Sequence, residues 1–109
     1  MFPGAERAVV EPAKVRDYLL SSVHPVGRFK AVVFQALGYT AEQWELLRDD
    51  LLALALTGSA APGQASPFGQ KYEVSGTLRG PNGQEAQFIS VWLAPPGDEA
   101  PRFITAFPG

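Results

Sequence analysis

The spacing of apolar residues changes part-way along the chain, and the change divides it into a helical half and a strand half. From Pro12, Val15 and Leu19 recur at helical spacing with Tyr18 beside them. Pro12 suits a first turn, where a missing N–H costs nothing. This helix is expected to stop near Leu20, because Ser21-Ser22-Val23-His24-Pro25 is loop chemistry and Pro25 biases His24 away from the α region. A second helix is predicted over residues 26–37. Its buried stripe is expected to be Phe29, Val32, Val33 and Leu37, and Gly38 falls where a left-handed C-cap is wanted. Thr40-Ala41-Glu42-Gln43 reads as a capping box that opens a third helix, running to about Leu56 with Trp44, Leu47, Leu51 and Leu54 on its core side.

Beyond Gly58 the period becomes two. Residues 58–66 are small and polar, a loop or weak edge strand, and Ala8-Val9-Val10 is a brief strand or packed arm. Polar and apolar residues alternate through Lys71-Tyr72-Glu73-Val74-Ser75-Gly76-Thr77-Leu78, apart from Gly76, as in a half-buried strand. Gly80-Pro81-Asn82-Gly83 is a hairpin turn, residues 84–94 the returning strand, Pro95-Pro96-Gly97-Asp98-Glu99 the next turn, and residues 102–107 the last strand. The pattern predicts an α+β fold: three N-terminal helices followed by an antiparallel sheet of three to four strands, with the helices on one sheet face.

Composition narrows the chemistry. At 109 residues the chain is expected to form a single domain over 1–109, since two cores of half that length would each be marginal. There is no cysteine, which excludes disulfide scaffolds, thiolate metal sites and cysteine nucleophiles. His24 is the only histidine, so multi-histidine metal sites and two-histidine ribonuclease arrangements are excluded too. No apolar run approaches the ~18 residues of a membrane helix. Residues 1–10 lack the basic-then-apolar pattern of a secretory leader, so a cytoplasmic location without membrane contact is expected.

A formal net charge of -2 argues against a broad nucleic-acid coat but leaves room for a small basic site. Residues 12–40 carry Lys14, Arg16, Arg28 and Lys30 against Asp17 alone, whereas residues 41–57 carry Glu42, Glu45, Asp49 and Asp50 against Arg48. The acidic stretch reads as a solvated helix face. The basic one contains His24-Pro25-Val26-Gly27-Arg28-Phe29-Lys30, in which a histidine precedes a helix whose first turns hold an arginine and a lysine. Such a group can surround an anion with help from helix N–H groups; alternatively the cations are solvated and His24 caps the helix. No phosphate loop, dinucleotide fingerprint, nucleophile elbow or zinc-protease motif is present. Tyr72 and Phe107 are candidates for a base-stacking surface.

Three segments together carry a resemblance. Val15-Arg16-Asp17-Tyr18-Leu19-Leu20 leads into the His24–Lys30 motif; Tyr72-Glu73-Val74-Ser75-Gly76-Thr77-Leu78 precedes the glycine turn; and Pro101-Arg102-Phe103-Ile104-Thr105-Ala106-Phe107-Pro108 closes the chain. Over nearly all its length the chain resembles a family of bacterial domains of similar size with an HPxGxxK motif. Its element order is similar to the barnase–EndoU–colicin–RelE ribonuclease fold found in many toxin domains. That likeness implies a toxin-type endoribonuclease needing no metal and no cofactor, in which the RNA 2′-hydroxyl attacks its own phosphate. It implies His24 as acid or base, Lys30 and Arg102 on the phosphate, Thr105 as a hydrogen-bond donor, and Arg28 and Tyr72 as substrate-binding residues. RNA and a small cognate inhibitor protein are the implied partners. The alternative is a non-catalytic protein-interaction domain that pairs with a small partner protein. An acidic loop of that partner would then occupy the same basic cleft.

Overall fold

The computed structural model describes residues 1–97 and 99–109. Asp98, in the turn expected at residues 95–99, lies outside the described residues. Helices α1 (residues 12–19), α2 (Gly27–Gln35) and α3 (Trp44–Thr57) are followed by strands β1 (Ser59–Ser66), β2 (Gly69–Arg79), β3 (Glu85–Ala94) and β4 (Arg102–Pro108), an α+β arrangement. The strands form one antiparallel sheet in the order β1-β2-β3-β4.

The N-terminal helix is less regular than its apolar spacing suggests. One α turn, Pro12–Lys14, opens α1 and a π turn, Val15–Leu19, completes it, with the Leu20 N–H donating to the Val15 carbonyl at 2.9 Å. Val15 and Leu19 are buried as expected. Before α1 a short 3₁₀ turn, Ala5–Arg7, brings Phe2 and Ala5 into the core. The Ala8-Val9-Val10 arm then forms a parallel bridge between Val9 and Arg102. The Val9 N–H donates to Pro101 O and the Phe103 N–H to Val9 O, each at 2.9 Å, which partners part of the outer edge of β4.

Helix α2 corrects one expectation. Phe29 and Val32 are exposed, at 68% and 67%, and Val33 is half-buried; the face turned inward carries Gly27, Ala31 and Phe34, with Leu37 buried just beyond the helix. Small residues occupy the contact line because α2 lies very close to its neighbour. A Cβ built on Gly27 would sit 1.9 Å from the Tyr18 carbonyl oxygen. Of the stripe expected to be buried, Leu37 is; Phe29 and Val32 turn outward and Val33 lies between. Helix α3 follows its pattern, burying Leu47, Leu51 and Leu54, with Trp44 half-buried under the Arg48 guanidinium 5.1 Å from its ring. The expected capping box at Thr40 does not open this helix: α3 begins at Trp44 with Gln43 as its N-cap, and the Gln43 N–H to Thr40 Oγ1 bond at 3.3 Å closes the turn before it.

The glycine turn does more than reverse the chain. Gly83 takes φ +87°, whereas Asn82 stays in ordinary backbone and reaches to the C-terminus of α2. Its side-chain amide donates to Ala36 O at 3.0 Å, and its backbone N–H to Leu37 O at 3.3 Å, satisfying carbonyls the helix leaves open. Gly38, at φ +95°, is the predicted left-handed cap and packs against Asn82. Residues 59–66, expected as a loop or weak edge strand, do form an edge strand, almost wholly exposed and irregular between Pro62 and Ala65.

The helices cover one sheet face, where Val74, Leu78, Phe88, Trp92, Phe103 and Ala106 point inward. Phe34 stacks on Phe88 with centroids 5.0 Å apart. The buried Ser90 hydroxyl accepts from Trp92 Nε1 at 2.8 Å and donates to Val74 O at 3.3 Å, so both side chains are satisfied inside the core. The opposite face is open, with Lys71, Glu73, Ser75 and Thr77 all exposed on β2.

Candidate functional site

A β-bulge decides which residues of β4 reach the open face. Val91 pairs with Thr105 and Trp92 with Phe103, which leaves Ile104 as an extra residue. Strict alternation would place Arg102 and Thr105 on opposite faces. With the extra residue both turn away from the helices, opposite Leu93 and Val91, while Phe103 and Ala106 point into the core.

Because β4 is an edge strand, Thr105 still borders a hollow of about 520 Å³ where α1 and the start of α2 reach the side of the sheet. Glu11, Ala13, Lys14, Tyr18, His24, Lys30 and Ile104 line the rest. His24 is placed there by the helix it opens. Its carbonyl accepts the Arg28 N–H at 3.1 Å, and its Nδ1 accepts the N–H groups of Val26 at 3.0 Å and Gly27 at 2.9 Å. The imidazole nitrogen thereby satisfies two N–H groups at the start of α2, those of Val26 and of its first residue Gly27. The neutral ring consequently carries its proton on Nε2. Tyr18 meets the imidazole edge-on at 5.0 Å.

Lys30, at the end of the first turn of α2, reaches β4. Its Nζ donates to Thr105 Oγ1 at 2.7 Å and to Ala106 O at 3.2 Å, and it lies 5.6 Å from the Tyr18 ring and 5.7 Å from the Phe107 ring. The Thr105 hydroxyl spends a lone pair on the lysine and keeps its proton to donate. Two cations, Lys14 and Lys30, and the positive end of α2 face this space, against the single carboxylate of Glu11. The arrangement can hold a phosphate-sized anion and bring a carboxylate beside it.

A second hollow of about 500 Å³ lies between α1 and the α2–α3 connection and includes Arg16, Asp17 and Glu42. Its cation is already committed: Arg16 donates to both Asp17 oxygens, at 3.0 and 2.9 Å. That hydrogen bonding holds the Asp17 carboxyl below its usual range. With its arginine neutralised and Glu42 added, this hollow suits an anion poorly.

The family model described as a domain of unknown function (DUF6883) matches residues 1–109. The chain belongs to the DUF6883 family. No curated protein matches it. A chain of the solved contact-dependent growth inhibition toxin–immunity protein complex from Klebsiella pneumoniae 342 is similar to this DUF6883 domain, with a TM-score of 0.71 and 22% identity. The match covers 93% of this chain and 99% of that one. At that identity the likeness establishes the fold.

Of the residues singled out from the DUF6883 sequence, His24, Lys30 and Thr105 come together. Arg102 shares the open sheet face with Thr105 but does not line the hollow. Arg28 also lies outside it, its guanidinium 4.8 Å from the Phe29 ring on the exposed side of α2. Tyr72 is on the helix-covered face, stacked on Phe2 with centroids 5.1 Å apart, because alternation along β2 sends it inward with Val74. Glu11, Lys14 and Tyr18 were not foreseen as site residues. The basic bias of residues 12–40 included Lys14, but nothing in the sequence pointed to Glu11.

Proposed function

We propose that this DUF6883 domain is a toxin-type, metal-independent endoribonuclease. The observation that carries the reading is the meeting of Lys30, Thr105, His24 and Glu11 around one open hollow, from three separate parts of the chain. The fold shared with a chain of a toxin–immunity complex supports a toxin- or immunity-type role, within which the toxin reading falls. The Glu11 carboxylate takes the proton of the RNA 2′-hydroxyl. Because Nδ1 is committed to the helix cap, His24 offers Nε2–H as a hydrogen-bond donor and leaves the base role to Glu11. The attacking oxygen forms a bond to phosphorus while the bond to the 5′-oxygen breaks. His24, Thr105 and Lys30 hold the non-bridging oxygens as their charge grows, and the Lys30 ammonium protonates the departing 5′-oxygen. The products are a 2′,3′-cyclic phosphate and a free 5′-hydroxyl; solvent returns a proton to Lys30 and removes one from Glu11. Arg102, Arg28 and Tyr72 have no assigned contact with the reacting phosphate.

Purified protein incubated with total RNA in the presence of a metal chelator should produce discrete fragments ending in cyclic phosphate. Lys30→Met should slow this by about 10²-fold or more while the circular dichroism spectrum is retained. Intact RNA with folded wild-type protein overturns the ribonuclease reading.

A second reading, a protein-interaction domain, is favoured by the exposed side of α2. Val26, Phe29 and Val32 present an apolar line beside Arg28 on a helix without a single acidic residue, which suits an acidic partner protein with an apolar contact. The two readings are compatible, because a protein seated there stands next to the hollow that Lys30 and His24 line.

A further inference from the structure

The hollow at His24 does not end at Thr105. A third depression, about 310 Å³, lies on the open sheet face and shares Ile104 and Thr105 with it; the two meet over the bulge of β4. Its floor is apolar, made by Val91, Ile104 and Phe107, and its far wall carries Gln64, Lys71 and Glu73. Register fixes the layout. Thr105, Val91 and Glu73 stand in one row across β4, β3 and β2, so the far wall is two strand spacings, ~10 Å, from Thr105.

Three features of this depression point to its occupant. Phe107 is half-buried, so its ring is held by packing while it still borders open space. It also lies beside the Lys30 ammonium, which connects this apolar floor to the anion-binding end. At the opposite rim, exposed Lys71 supplies a second cation, with the Gln64 amide and Glu73 carboxylate beside it. A flat, apolar-faced ring with polar edges, linked to one anion at Lys30 and a second near Lys71, matches this sequence of surfaces. Those are the properties of a nucleotide one step along a single strand from the phosphate at Lys30.

Resting on the ribonuclease reading, we propose that the open sheet face is a second nucleotide subsite. The base of the nucleotide next to the scissile phosphate stacks on Phe107 over Val91 and Ile104, and the following phosphate meets Lys71. The ligand is therefore single-stranded RNA of at least three nucleotides, since a duplex would keep that base paired and unavailable. Gln64 and Glu73 reach base edges and confer preference among bases.

The test measures binding of fluorescein-labelled oligonucleotides that are 2′-O-methylated throughout, so that attack by the 2′-hydroxyl is blocked. Oligo(A) and oligo(U) of two and four nucleotides are compared by anisotropy. Wild-type protein should bind the tetramers about tenfold or more tightly than the dimers. Lys71→Ala should remove most of that gain while leaving dimer affinity within twofold, and Phe107→Ala should weaken both lengths; Thr77→Ala, elsewhere on the same face, should change neither. Lys71 is exposed, so its variant remains informative if Phe107→Ala fails to fold. Equal affinity for dimer and tetramer in a wild-type protein that cleaves RNA overturns the subsite and leaves the ribonuclease reading standing. Equal losses for both lengths in Lys71→Ala overturn it as well. A folded protein that neither binds nor cleaves RNA of any length overturns both.

Discussion

The imidazole of His24 holds the start of α2 through Nδ1 and also lines the hollow, so its two roles can be separated by substitution. His24→Ala removes both and should cost about 1 kcal/mol of stability, the ordinary value of a helix cap. His24→Asn restores an oxygen acceptor at the same place. It should recover that stability in urea titrations while RNA cleavage stays impaired; equal activity in wild type and His24→Asn would release the ring from any chemical role. Tyr39 shows a different coupling at the same scale. Its buried hydroxyl donates to Asp50 at 2.5 Å, and both burial and the neighbouring carboxylate push the phenol well above its ordinary ionisation range. The folded state thus holds a proton that the unfolded chain releases near pH ~10. Unfolding stability should fall as pH rises through and beyond that value, by up to ~1.4 kcal/mol per pH unit from this residue. Tyr39→Phe should flatten that slope, and an unchanged slope would assign it elsewhere.

At the scale of elements, the tip of the β2–β3 hairpin carries the clearest prediction. Gly83 has φ +87° and nothing within 4 Å of the position a Cβ would take, so any cost of substitution is conformational rather than steric crowding. Gly83→Val should destabilise the protein by about 1–2 kcal/mol in thermal or urea unfolding. An unaltered midpoint would mean that the turn relaxes without strain. This hairpin was legible because a glycine turn between alternating runs is a local signal. The buried face of α2 was not. Apolar residues lie all round that helix, and the side facing inward was decided by how closely Gly27 lets it approach Tyr18, a contact between elements that no spacing within α2 encodes. The site divides the same way. His24 and Lys30 belong to one motif and were found together. Glu11 and Tyr18 come from the preceding element, and Thr105 depended on the bulge at Ile104, which alternation could signal only as a conflict with Arg102.

Across the whole molecule, one core joins the helical half to the sheet. Phe34 stacks on Phe88, Phe2 from the N-terminus packs near Trp92 with centroids 6.0 Å apart, and the tip of the β2–β3 hairpin closes the end of α2 through Asn82. Neither half can leave without exposing aromatic surface on the other, and the sheet alone would present its inward face, including Trp92 and Phe103, to water. The two tryptophans make this testable. Trp44 sits on α3, half-buried, and Trp92 lies in the centre of the sheet with no exposed surface. In a Trp44→Phe variant, fluorescence reports on the sheet alone, while the far-ultraviolet helix band reports on the other layer. A single domain over 1–109 should lose both signals at the same urea concentration and with the same slope. A helix signal that fades first would show the helical layer unfolding from a surviving sheet. The hollow at Lys30 would then be a joint between two separately stable parts, because Lys30 and Thr105 come from opposite sides of that boundary.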